Sequence, residues 1–103
     1  MIIRNVTPAA TFGTFAKVAV DIERGVLAIG CELHTDCMEE LLADGSRGND
    51  VWGANVFPEE ERIDVVSLIN IRPAAGNRST TIEQPDIRNR VEAVIQKLLF
   101  STS

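Results

Sequence analysis

Apolar and polar positions alternate along two stretches flanking Arg24-Gly25: Val18, Val20 and Ile22 before it, and Leu27, Ile29, Cys31 and Leu33 after it. A period of two marks strands with one buried face, and a glycine between two such runs marks a hairpin turn. A two-residue loop sets Val20 opposite Ile29 and Val18 opposite Cys31, and brings Lys17 to Glu32. Apolar side chains then pair with apolar ones and opposite charges meet. A three-residue loop would place Asp21 against Leu27, so the two-residue register is expected. Val51 to Phe57 and Arg62 to Ile71 form a second pair of runs around the acidic turn Pro58 to Glu61. The second run carries Ile63, Val65, Ile69 and Ile71 on one face and Val66 and Leu68 on the other, as in a central strand covered on both sides. Pro73 ends it, because proline donates nothing to a ladder. Short strands are expected at Met1 to Val6 and Ser79 to Ile82.

Helical spacing governs the rest. Thr7-Pro8 opens a short helix, with a hydroxyl N-cap before a proline, and Gly13 weakens it. Asp36 to Ala43 is a second, with Asp36 and Glu39 forming a capping box, a Cys37/Leu41 and Met38/Leu42 stripe, and Gly45 as the stop. Pro85 begins the clearest one, with Asp86 in the first turn and Ile87, Val91, Val94, Ile95 and Leu98 along one face. The fold class is therefore α+β: an antiparallel sheet of four to five strands with two or three helices packed on it, the C-terminal helix longest. Residues 1–103 are expected to form a single domain.

Composition changes this picture little. Of 103 residues, 45% are hydrophobic and 24% charged, which is enough apolar surface for one core. The formal net charge of −5 argues against nucleic acid and against anionic membranes as partners. No apolar run is long enough to span a bilayer, and the start reads as a strand rather than a secretion signal. Two cysteines are too few for a disulfide framework, so Cys31 and Cys37 are expected to be reduced and unbonded to each other, with Cys31 buried, in a cytoplasmic protein. The charge is unevenly spread. Nine acids stand against two arginines between Asp36 and Asp64, whereas four arginines stand against two acids between Arg72 and Arg90.

Three groups carry chemistry worth weighing. Cys31, His34 and Cys37 have a spacing that zinc accepts, but both cysteines fall on apolar stripes, and no metal or other cofactor is expected. His34 is the sole histidine, so any imidazole-based acid–base catalysis would rest on it. The densest polar cluster runs from Asn70 to Thr80. There Arg72 and Arg78 can clamp a carboxylate or phosphate, and Asn70, Gly76 and Asn77 supply turn geometry and hydrogen bonds. No phosphate-binding glycine motif is present. Trp52 reads as a core or interface residue.

Several segments together resemble a family of short bacterial proteins of unknown function: Glu32-Leu33-His34-Thr35-Asp36, Gly45-Ser46, Asp50-Val51-Trp52-Gly53-Ala54-Asn55, Ser67-Leu68-Ile69-Asn70-Ile71-Arg72-Pro73 with Gly76-Asn77-Arg78-Ser79, and Pro85-Asp86-Ile87-Arg88. The resemblance covers roughly residues 17–99. It implies acids near Cys37 and an aspartate before Pro85, where this chain has Gln84, and it transfers no activity. The residues favour a non-enzymatic binding or interaction protein that uses Asn70, Arg72, Asn77 and Arg78 to hold a small anionic ligand and that pairs with a second copy as a homodimer. The alternative is a hydrolase-like or metal-dependent enzyme centred on His34.

Overall fold

The computed structural model describes residues 1–101. Ile2–Ile3 (β1), Ala16–Asp21 (β2), Val26–Ile29 (β3), Val51–Phe57 (β4) and Arg62–Asp64 (β5) form one antiparallel sheet in the order β1-β3-β2-β4-β5. The helices are His34–Ala43 (α1) and the longer Pro85–Leu99 (α2). This is the expected α+β architecture.

The helices cover opposite faces of the sheet. Val18, Val20, Leu27, Ile29, Trp52, Ala54 and Val56 face α2 and pack on Val91, Ile95 and Leu98. The intervening residues Ala19, Val26, Ala28 and Val51 face α1 and pack on Cys37 and Leu41. Ala28, Ala19 and Gly53 lie side by side across three strands on that second face, so α1 meets small side chains there. Both faces of β2 and β3 are therefore buried, although the alternation in the sequence marks only the face with large residues.

Three expectations are corrected. The β2–β3 hairpin pairs Val20 with Leu27 and Val18 with Ile29, two positions from the expected register. Its turn spans Ile22 to Gly25. The Asp21 carboxylate accepts the main-chain N–H groups of Glu23 and Arg24, both at 2.9 Å, and the Gly25 N–H reaches the Asp21 carbonyl. Those bonds favour a longer turn, and a shift of two leaves every side chain on its own face. Lys17 does reach Glu32, but it donates to the main-chain carbonyl at 2.8 Å.

The central strand is β2, not the run from Arg62 to Ile71. That run pairs only at Arg62–Asp64, on the sheet edge, and then leaves the sheet. Ser79 to Ile82 contributes one isolated bridge, Val66 to Thr81.

The cysteines are bonded to each other, and Cys31 is only half-buried. Gly30, at φ +86°, turns the chain out of β3, so the inward parity of the strand does not extend to Cys31.

The remaining differences are local. Ala9–Phe12 is a single 3-10 turn, and Asp36 lies inside the first turn of α1, behind the cap residue Leu33. No described helix is long and apolar enough to cross a membrane.

Candidate functional site

From Val65 to Gln84 the chain has no strand and only two short 3-10 turns, Leu68–Asn70 and Pro73–Ala75, yet part of it is buried. Buried main-chain groups still need partners, and here side-chain amides provide them. The fully buried Asn70 accepts the Gly53 N–H at 2.8 Å and donates to the Gly53 carbonyl at 3.0 Å and to Thr80 at 3.1 Å. It thus occupies the edge of β4 as a strand residue would. Asn77, also fully buried, has Nδ2 within 3.0 Å of the carbonyls of Asn70, Ser79 and Thr81, and its Oδ1 accepts the Glu83 N–H at 2.7 Å.

The chain does return beside Arg72, which exchanges both main-chain hydrogen bonds with Asn77. The Arg72 side chain turns inward. Its guanidinium lies 4.5 Å from the centre of the Trp52 ring and donates to the carbonyls of Ile69, Gly48 and Val51. Burial is what acts on this group, pushing its pKa down, and main-chain oxygens fill its fork. Arg78 is exposed; its main-chain N–H is held by the Glu83 carboxylate. Of the four predicted ligand residues, Asn70, Arg72 and Asn77 thus bond to main-chain groups of the loop, of β4 and of Gly48.

The loop crosses β4 at Gly53. A Cβ there would sit 2.5 Å from the Ser67 Cβ and 2.9 Å from Ile69 Cγ1, so only glycine allows this approach. The crossing leaves a cleft of about 440 Å³ between the loop and the start of α1. Its apolar walls include Phe15, Leu33, Val66 and Leu68, which are 46%, 57%, 40% and 76% exposed. None was read as a site residue from the sequence. The sequence signal for Val66 and Leu68 is the apolar run Val65 to Ile71, which also has the pattern of a strand.

Polar groups at the cleft are few. His34, the first residue of α1, meets the Ala54 carbonyl at 2.9 Å through Nε2. A carbonyl only accepts, so Nε2 carries the proton and Nδ1 is an acceptor. Burial pushes the imidazole pKa below its ordinary value, with the Lys17 charge acting the same way, against the opposing pull of the Ala54 carbonyl and the Asn55 side chain. On balance these effects favour the neutral imidazole. Asn55 donates to the Val66 carbonyl at 3.2 Å, while its Oδ1 is buried without a hydrogen-bond partner. Ser67 Oγ accepts the Ile69 N–H and caps a 3-10 turn.

Among the described residues, Cys31, Cys37 and Glu40 are the one group of three with metal-ligating atoms close together. The two sulfurs are bonded to each other and offer no thiolate, and His34 lies outside the group. As for catalysis, the one hydrogen bond of His34 among the described residues goes to a main-chain carbonyl. Neither an orienting carboxylate nor a nucleophile is bonded to it.

The sheet with a helix on each face and an apolar cleft beside the start of α1 define a small α+β protein. The chain matches the family described as "Protein of unknown function (DUF5674)" over residues 3–98 and belongs to that family. No curated protein and no solved structure matches it. The function of the family is unknown.

Proposed function

We propose that this chain is a small non-enzymatic binding protein whose site is the cleft between Leu33 and Leu68. Its ligand in this proposal is a small molecule with an apolar body. One observation carries the reading. Of the eight large apolar side chains exposed among the described residues, four gather round this one cleft. Single exposed apolar residues need no explanation, but a gathered set marks a contact surface. The volume lies in the range of small-molecule sites. The apolar walls supply affinity. The residues from Asn70 to Thr80, expected to hold the ligand, enter instead as the scaffold that positions Val66 and Leu68. A cytoplasmic setting is kept as part of the proposal.

A second copy of the chain is the competing occupant, favoured by Leu68 and Leu33, the most exposed of the four. Titration with anilinonaphthalene sulfonate, whose rings are apolar, tests the site. Leu68→Ser is expected to weaken dye binding roughly ten-fold, because losing one buried leucine contact costs about 1.5 kcal/mol, and to leave the melting temperature unchanged. Wild-type affinity in that variant overturns the assignment. Sedimentation at rising concentration separates the occupants: a monomer supports the small ligand, and a dimer broken by Leu68→Ser supports the second copy.

A further inference from the structure

The disulfide closes the segment from Cys31 to Cys37, and that segment carries Leu33, His34 and Thr35 into the wall of the cleft. Its two sulfurs sit in unlike surroundings. Cys31 is half-buried and lines a second depression, of about 380 Å³, beside Gly30, Phe12 and Phe15, so a reductant has a way in. Cys37 is fully buried in the first turn of α1, with Leu41 on the same helix face. Glu40 places Oε2 at 2.9 Å from Cys31 Sγ, while its Oε1 is held by the Met1 amino group at 2.7 Å. A carboxylate disfavours a thiolate at Cys31, and the N-terminal end of a helix favours one at Cys37.

We infer that Cys31 and Cys37 form a redox-active couple, exchanged by dithiol reductants that attack Cys31, and that the oxidised bond holds Leu33 and His34 in the cleft wall. The consequence for binding rests on the proposed function; the exchange chemistry does not. A thiolate of the dithiol attacks Sγ of Cys31, and the electron pair of the S–S bond leaves on Sγ of Cys37. The second thiol of the reductant then attacks the mixed disulfide and expels Cys31. Two electrons and two protons pass to the protein, which ends as two thiols, while the reductant ends as a disulfide. Disulfides in a reducing compartment are mostly of this exchanging kind, which reconciles the bond with the cytoplasmic setting proposed above.

His34 is the only histidine, so its imidazole proton resonances report on the closed segment with no ligand present. The whole chain is equilibrated in dithiothreitol buffers, the thiols are alkylated and counted by mass spectrometry, and the His34 resonances and dye affinity are recorded in both states. Reversible loss of the bond in the folded protein is expected, with the His34 midpoint moving up toward about 6.5 as burial relaxes. Dye affinity should change by about five-fold or more. Mixed disulfides trapped by acid quenching during reduction with glutathione should carry it on Cys31; adducts on Cys37 alone would overturn the assignment of the attacked sulfur. A bond that resists dithiol until the protein unfolds overturns the redox claim. Unchanged His34 resonances after reduction overturn its coupling to the cleft. If the dye binds neither state while His34 still responds, the ligand reading fails and the redox couple stands.

Discussion

The sheet centre and the segment from Val65 to Gln84 solve the same problem by opposite means. In β2 and β3, main-chain groups satisfy one another through the ladder, and side chains are left to pack: Val18, Val20, Leu27 and Ile29 are all buried and apolar. In Val65–Gln84 the ladder is nearly absent. The main-chain groups of Ile69, Asn70, Ser79, Thr80, Thr81 and Glu83 are bonded by the side chains of Asn70, Arg72 and Asn77. Asn70 and Arg72 also reach Gly53 and Val51 of β4. A buried polar side chain in the sheet would be a cost; in the loop it is the structure. Polar residues clustered after a strand are therefore as well suited to holding an irregular chain together as to holding a ligand.

Substitution can break this contrast directly. Asn70→Leu keeps the branched shape but leaves the N–H and carbonyl of Gly53 buried without the amide, while the Thr80 carbonyl keeps the Ser67 N–H. We expect a loss of about 4 kcal/mol, from two unsatisfied groups at about 1–3 kcal/mol each, read as a fall in the urea midpoint. A loss below about 1 kcal/mol would show that the loop does not depend on side-chain amides.

A smaller effect is expected where the two regions touch. Gly53→Ala pushes a methyl group toward Ser67 and Ile69, so the loop must shift. About 2 kcal/mol is expected from the overpacking, together with weaker dye binding, since Val66 and Leu68 move with the loop. Stability and dye affinity both equal to wild type would place the crossing farther from β4 than the structure has it.

Legibility in the sequence follows the same division. Regular elements were readable because period and punctuation agree. The strand Val51–Phe57 matches its expected bounds, and α2 begins at Pro85 with Val91, Ile95 and Leu98 buried. The hairpin register was not readable, because alternation fixes only the face and the Asp21 carboxylate, a local hydrogen-bonding effect, chose the longer turn. Cys31 was misplaced by extending the parity of β3 through Gly30. The apolar run Val65 to Ile71 resembled a strand because three of its members, Val66, Leu68 and Ile71, are apolar and yet exposed, where core burial is not the reason for their character. The four predicted anion residues share one loop. Three of them turn inward because the loop has unmet main-chain groups, which residue type alone does not reveal.

The central claim is that the contact surface lies between Leu33 and Leu68 rather than at the arginine-bearing tip of the loop. Amide chemical-shift mapping of the whole chain during titration with anilinonaphthalene sulfonate tests it most directly. The account predicts shifts concentrated at Leu33, His34, Asn55 and Val66 to Ile69, with the amides of Gly76 to Ser79 unmoved. Shifts centred on Gly76, Asn77 and Arg78, with His34 and Leu68 silent, would contradict it.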